Sequence, residues 1–294
     1  MTGHEPPSIR VHEDVVLLRE AVNFTAAQTA FAARLIEKDY YCTVLLAYLS
    51  ETAGKAAVFK GGTCLAKVIG DFYRLSEDLD FAISVPVDAG RERRRRHVAG
   101  MKIAIANVAE RLSTFALDQP LRGANNSTQY IGAVSYRSPL SGQPEAIKVE
   151  ISLREPLLMP VLDGSARTIL LDPVNGKPLV PPLAVRCISR QEAWAEKFRA
   201  ALTRREVAIR DFYDLDYAVG KLGLRHGDAE MVTLVRQKLA VPGNDPVDFG
   251  QNRLAQLRAQ IETRLRPVLR QRDYEAFDLA RAFNVVAEMA RLVG

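Results

Sequence analysis

One short stretch limits this chain more than any other: Phe59-Lys60-Gly61-Gly62-Thr63-Cys64-Leu65, continuing to Arg74-Leu75-Ser76-Glu77-Asp78-Leu79-Asp80-Phe81. Ala56 to Phe59 is a short apolar run ending on a glycine pair, Thr63 to Ile69 has helical spacing, and Asp78 to Val85 reads as extended chain. The expected order is strand, glycine turn, helix, strand. In an extended segment alternate side chains share a face, so Asp78 and Asp80 project together while Leu79 and Phe81 enter the core. Two carboxylates a few ångströms apart do not both ionise cheaply unless a cation lies between them. Mg2+, or Mn2+ in its place, suits that role, because Mg2+ takes one or two carboxylates and fills its other positions with water and phosphate oxygens.

The glycine pair complements this metal site. Without Cβ atoms, Gly61 and Gly62 let backbone amides approach a triphosphate and donate to it, and Thr63 opens a helix whose dipole favours an anion. The stretch is not a P-loop, since Lys60 precedes the glycines and no lysine and hydroxyl follow them.

Three further segments supply charge. In Lys148-Val149-Glu150-Ile151 the alternation puts Lys148 and Glu150 on one polar face, from which Glu150 joins the metal site and Lys148 meets phosphate. Ala195-Glu196-Lys197-Phe198-Arg199 offers Lys197 as a cation for the triphosphate, and Arg210-Asp211-Phe212-Tyr213-Asp214 offers carboxylates facing it, with the substrate in a cleft between two lobes. Each has a plainer reading: Lys148 and Lys197 as surface cations paired with Glu150 or Glu196, and Asp211, Asp214 and Asp216 as caps or pairs on a helix start. Order and spacing favour the chemical reading.

The remaining chain sets the architecture. Val11 to Ser50 reads as several helices, Arg91 to Ala116 as helix, and Gln129 to Tyr136 and Ala146 to Leu153 as half-buried strands of the same sheet. Glu155 to Pro182 is proline-rich, with a turn at Asn175-Gly176 between apolar runs at Thr168 to Leu171 and Leu179 to Val180. Ser189 and Glu192 have the form of a capping box that opens a helix. From Gln191 onward the pattern is helical, broken at Gly220 to Gly227 and Pro242 to Gly250. The expectation is an α/β chain of two lobes: residues 1–185 carrying a mixed sheet flanked by helices, and residues 186–294 forming a helical bundle.

At 294 residues, with 48% apolar and 26% charged residues, the chain has the composition of a globular protein with room for two cores. Cys42, Cys64 and Cys187 are widely spaced and odd in number, which argues against a disulfide framework or zinc site. Met1 to Arg10 has no apolar run after a basic start, and no later segment has the roughly 18 apolar residues of a membrane span, so a cytoplasmic location is expected. The net charge of +5 favours an anionic partner. Its densest cluster, Arg91, Arg93, Arg94, Arg95 and Arg96, is either an RNA-contacting patch or a solvated helix end.

Taken together, Ile36-Glu37-Lys38-Asp39-Tyr40, F-K-G-G-T-x-L-x-K from Phe59, R-x-S-E-D-x-D-F from Arg74, K-x-E-I from Lys148, A-E-K from Ala195 and R-D-x-Y-D-L from Arg210 resemble the AbiEii toxin family. These are nucleotidyltransferase toxins of abortive-infection and toxin-antitoxin systems, a group that includes the mycobacterial MenT toxins. The resemblance covers roughly residues 36 to 216, the last helices matching only as a generic lobe. It implies a DNA polymerase β-like nucleotidyltransferase lobe, a helical lobe and a separately encoded antitoxin. Position by position, Gly61, Gly62, Thr63 and Ser76 match the nucleotide-binding motif, with Arg74 beside it, and Asp78 and Asp80 match the metal ligands. Lys148 and Glu150 match the second motif, Lys197 the third, and Asp211 with Asp214 the fourth. Cys64 stands where serine is commoner.

The implied reaction is attack of an acceptor hydroxyl on the α-phosphorus of a nucleoside triphosphate, with Mg2+ held by Asp78 and Asp80 and the proton passing to Glu150 or Asp211. Relatives that extend the 3′ end of tRNA make tRNA the expected acceptor, with translation blocked as the result. Two alternatives have the same site: nucleotidylation of a protein, and a non-catalytic nucleotide-binding regulator.

Overall fold

The computed structural model describes residues 9–294. The stretch read as lacking a leader, Met1 to Arg10, lies outside the described residues except for Ile9 and Arg10. The chain divides into two compact units. One comprises the residues up to Ile83, Gly90–Leu153 and Asp163–Arg186; the other comprises Ser84–Ala89, Arg154–Leu162 and Cys187–Gly294.

The core of the first unit is a seven-stranded mixed sheet. Its strands are β1 (Ala57–Lys60), β2 (Leu79–Ile83), β3 (Phe115–Ala124), β4 (Gln129–Arg137), β5 (Pro144–Ser152), β6 (Leu162–Ala166) and β7 (Leu183–Cys187), in the order β3-β4-β5-β2-β1-β7-β6. β1 runs antiparallel to β2, β2 parallel to β5, and β5 antiparallel to β4, which pairs antiparallel with β3. The expected strands on either side of the glycine pair are thus neighbours, and β5 adjoins β2 on its other edge.

Helices α1 (Val15–Thr29) and α2 (Ala33–Thr52) precede the sheet. α2 is buried nearly all round, including Glu37, Lys38, Asp39 and Thr43, as a helix at the centre of a core must be. Its polar residues are matched: Glu37 accepts from Ser138 Oγ at 2.7 Å and from the amide of Leu140 at 3.1 Å. Tyr41 stacks on Tyr136 of β4 with ring centroids 3.8 Å apart, fixing helix to sheet. After β1 come the single turn α3 (Gly61–Cys64) and a π-helical turn over Leu65–Ile69.

One sequence expectation changes here. The helix expected over Arg91 to Ala116 is three short pieces, α4 (Arg91–His97), α5 (Ala99–Ala106) and α6 (Val108–Arg111), and its end is already strand β3. Pro120 and a run of exposed polar residues disguise β3. The ladder to β4 shifts register between Leu117 and Gln119 and again between Gln119 and Arg122, and Pro120 sits in the second irregularity on an edge strand, where its missing N–H costs little. Asn175-Gly176 turns as expected, with Gly176 at φ +70°, and its flanks meet in a bridge between Leu171 and Pro178.

The second unit is helical: α7 (Arg190–Thr203), α8 (Ile209–Lys221), α9 (Ala229–Leu239), α10 (Gln251–Gln260), α11 (Gln271–Glu275) and α12 (Leu279–Val293). Ser189 caps α7 by accepting from the Glu192 amide at 3.2 Å. The other half of the capping box is not made. Glu192, fully buried, turns instead to the amides of Leu158 and Met159 at 2.9 and 2.8 Å and to Lys238 at 2.6 Å. Three backbone and ammonium donors outweigh the single amide that a capping box offers. Among the described residues no helix is long and apolar enough to cross a membrane.

Candidate functional site

The register across the sheet assembles the site. Lys60 pairs with Asp80 and Asp80 with Glu150, so three ionisable side chains from β1, β2 and β5 form one row on one sheet face. Asp78 lies one residue before β2, its charge reaching both Asp80 and Lys148. The strand expected from Asp78 therefore starts at Leu79, and the two aspartates come from a strand end rather than a strand interior.

Local sequence holds this row in place. Gly61 has φ +75°, which glycine alone adopts without penalty, and a side chain on it would strike Asp80. A Cβ on Gly62 would lie 2.7 Å from Arg74 Nη2 and 3.1 Å from Ser76 Oγ, so this glycine leaves room for both. Arg74 is buried, with Nη1 donating to the Leu75 carbonyl at 3.1 Å. Thr63 is also buried, and its hydroxyl donates to the carbonyl of Asp78, tying the turn after β1 to the residue that begins the acidic pair.

Electrostatics follow from the crowding. Burial, with the charges of Glu150 and Asp78, pushes the Asp80 carboxyl up to about 6 despite Lys60 and Lys148. Glu150 is held low: burial alone would raise it, but Lys148 at 2.8 Å, Gln129 at 2.6 Å and the charge of Lys60 outweigh that cost. Lys148 is raised, the pull of Glu150, Asp78 and Asp80 exceeding its desolvation.

A divalent cation fits this donor set. The acceptors are hard oxygens, and a charge beside Asp80 offsets the repulsion that keeps its carboxyl near 6. No three His, Cys, Asp or Glu side chains among the described residues converge as a ready-made cage. Mg2+ completes its shell with water and substrate oxygens, so a few carboxylates of this row suffice to fit it.

Lys197, Asp211 and Asp214 lie in the helical unit and meet one another: Lys197 Nζ is 2.7 Å from Asp211 and 2.8 Å from Asp214, and Arg204 is 3.0 Å from Asp211. Both carboxylates are buried, one turn apart on α8. In the basic cluster, Arg91, Arg93, Arg95 and Arg96 are exposed, whereas Arg94 is buried and drops out of the surface patch. α4 packs against the turn Asn125–Ser127, which leads directly into β4 and Gln129.

Several residues of this neighbourhood escape sequence reasoning. Spacing shows of Lys60 only that it is not a P-loop lysine, and of Gln129 only that it starts a strand. Lys67 and Asp39 sit inside the family motifs but without a role. In the structure Lys67 Nζ, wholly buried, donates to Asp39 Oδ1 at 2.6 Å, to Thr43 Oγ1 at 2.7 Å and to the Asp39 carbonyl at 3.0 Å. Asp39 Oδ2 accepts from Thr168 Oγ1 and the Ile169 amide. The π-helical turn that follows the glycine pair is thereby anchored to α2.

With this geometry in view, comparison with known proteins decides the family. Residues 44–283 match the family described as the nucleotidyl transferase AbiEii toxin, type IV toxin-antitoxin system. The chain belongs to the AbiEii family. Among solved structures it resembles MenT4, a nucleotidyltransferase toxin of Mycobacterium tuberculosis, at 21% identity and TM-score 0.59, covering 94% of this chain and 92% of that one. It also resembles JHP933 of Helicobacter pylori at 17% identity and TM-score 0.53, over 90% and 93% of the two chains. At these identities the likeness is one of fold. No curated protein matches the sequence. The family match runs into α12, well beyond the roughly 36 to 216 that the motifs cover, so the late helices belong to the AbiEii pattern too. Membership makes the chain a nucleotidyltransferase toxin of a toxin-antitoxin system, a family that draws on a nucleoside triphosphate and a divalent metal and implies an antitoxin partner.

Proposed function

We propose that this toxin transfers a nucleoside monophosphate from a nucleoside triphosphate to the 3′-terminal hydroxyl of tRNA, with Mg2+ as its metal, and so blocks translation. The observation that carries the reading is the row Lys60, Asp80 and Glu150 beside Gly61, where any side chain would strike Asp80. The acceptor oxygen bonds to the α-phosphorus, the bond to the bridging oxygen of the β-phosphate breaks, and pyrophosphate leaves. Asp78 and Asp80 are the residues that would hold the ion, and bound Mg2+ supplies charge stabilisation for the triphosphate. Amides of Gly61 and Gly62, the hydroxyls of Thr63 and Ser76, and the cation of Lys148 bind and orient the phosphates. Glu150, an ionised carboxylate in the same row, accepts the proton of the attacking hydroxyl. Lys197 is assigned a part in triphosphate binding, with Asp211 and Asp214 as the carboxylates that hold it.

Transfer to RNA is favoured over transfer to protein by the four exposed arginines of α4. They adjoin the turn that leads to Gln129 and hence to Glu150, and phosphate contacts dominate nucleic-acid affinity. The test is incubation with each labelled nucleoside triphosphate, Mg2+ and total tRNA. Label on tRNA with stoichiometric pyrophosphate, lost in a folded Asp80→Ala variant, is the expected result. Label on protein, or nucleotide bound without pyrophosphate release, overturns it.

A further inference from the structure

Glu150 is gripped on both oxygens. Lys148 Nζ lies 2.8 Å from Oε2, and Gln129 Nε2 donates to Oε1 at 2.6 Å. The two donors differ in kind. Lys148 is partly exposed, carries the charge that a triphosphate would also attract, and hangs on a flexible stem. Gln129 is neutral, half-buried and itself fixed, because its own Oε1 accepts from Asn125 Nδ2 at 3.0 Å.

That second contact settles which way the Gln129 amide faces. A carboxylate only accepts, so Gln129 must turn its NH2 towards Glu150. Its carbonyl then needs a donor, and Asn125 supplies one. The loop that presents Asn125 is costly to form: Asn125, Asn126 and Ser127 all have left-handed backbones, with φ of 47°, 57° and 63°. Three such non-glycine residues in succession persist only where surroundings fix them. Here the Asn125 carbonyl accepts from the amide and the hydroxyl of Thr128, and the Thr128 carbonyl accepts from the amide of Leu153, the residue after β5. The strained turn is thus bound to the strand that carries Glu150.

We propose that Gln129, oriented by Asn125, is the positioning residue of the reaction: it holds the Glu150 carboxylate turned towards the row, and keeps holding it when Lys148 engages phosphate. This rests on the transferase reading above and adds a residue that touches neither nucleotide nor acceptor. Each Glu150 oxygen keeps lone pairs beyond those the clamp uses, so a held carboxylate still accepts a proton.

The test uses the full-length protein with an equimolar mixture of the four nucleoside triphosphates, Mg2+ and total tRNA, reading pyrophosphate release. Gln129→Met keeps the shape and removes the donor. It is expected to lower kcat at least about tenfold, as loss of a hydrogen bond to a charged group does, with KM for nucleotide within about twofold of the parent. Asn125→Ala should give a smaller loss of the same kind. In a Glu150→Gln background, Gln129→Met should have no further effect, because the two act as a unit. Independent losses that multiply, or a rise in KM with kcat unchanged, overturn the positioning role. If Glu150→Gln itself is fully active, the assignment of Glu150 fails instead. Urea midpoints of the same single and double variants, measured without substrate, read the interaction apart from turnover: non-additive shifts are expected, and additive ones refute it.

Discussion

An ideal Cβ on Gly61 would overlap Oδ2 of Asp80 and lie 2.7 Å from its Cβ. Rotating the carboxylate relieves only the first clash, since the second is fixed by the strand. Gly61→Ala therefore forces β1 and β2 apart at the site, on top of about 1–2 kcal/mol for a left-handed non-glycine residue. The variant is expected to lose stability by at least that amount in urea titration and to retain less than about 1% of transfer, since a displacement near 1 Å at a reacting centre costs about 100-fold. Gly62→Ala meets the far end of Arg74 instead and should be milder in stability than Gly61→Ala.

The Asp80 carboxyl sits near 6 where an ordinary aspartate has 3.8, so the folded metal-free protein binds more protons than the unfolded chain between those values. This residue's contribution to stability is thus full below about pH 4 and is lost as pH rises through about 6. Asp80→Asn cannot ionise and lacks that dependence. Without metal, the variant should gain on the parent from about pH 5 to about pH 8 by roughly 1–3 kcal/mol, a pKa unit being about 1.4 kcal/mol. Added Mg2+ should close part of the gap at the higher pH, in the parent alone. A difference that does not change with pH would remove burial and repulsion as its cause.

Legibility in the sequence follows the range of the interaction. The glycine turn, the paired aspartates and the alternation of β4 and β5 are local patterns, and each marks its element. What spacing misses is long-range or irregular. β3 is hidden by Pro120 and its two register shifts, and the row through Lys60, Asp80 and Glu150 depends on strand pairing that spacing does not encode. Gln129 reaches Glu150 only because β4 and β5 are neighbours, and Asn125 reaches Gln129 only through a left-handed turn built without glycine. Glu192 misleads for a related reason: the local motif names a capping box, while the tertiary fold offers it better donors.

Lys67 and Asp39 form an ion pair with almost no exposure, 28 residues apart in sequence. Breaking such a pair from one side leaves a charge buried without its counterion, which typically costs about 3–5 kcal/mol. Asp39→Asn should lower the urea midpoint accordingly. Because Asp39 also accepts from Thr168 and Ile169, a part of the loss should persist when Lys67 is replaced as well.

The exposed arginines of α4 invite a salt test. Replacing Arg93, Arg95 and Arg96 with alanine, while leaving buried Arg94 alone, should weaken tRNA binding. The slope of log affinity against log salt should fall by about one for each phosphate that is no longer neutralised. Stability should change by no more than about 0.5 kcal/mol per site, as expected of exposed positions. Unaltered affinity and slope would make α4 a solvated face.

Lys197 separates a structural from a catalytic role most sharply, because its ammonium is shared by Asp211 and Asp214 at 2.7 and 2.8 Å and Arg204 also reaches Asp211. Lys197→Met removes the cation and leaves the fully buried Asp214 facing an apolar side chain. Destabilisation by about 3 kcal/mol or more follows from a buried carboxylate deprived of this ammonium. Lys197→Arg keeps the charge and both partners while moving the nitrogen positions, so it should recover most of the urea midpoint. If Lys197 also binds phosphate, the arginine variant should still show a KM for nucleotide raised about tenfold or more, the loss of about 1.4 kcal/mol of binding. Full recovery of both quantities would confine Lys197 to holding α7 against α8.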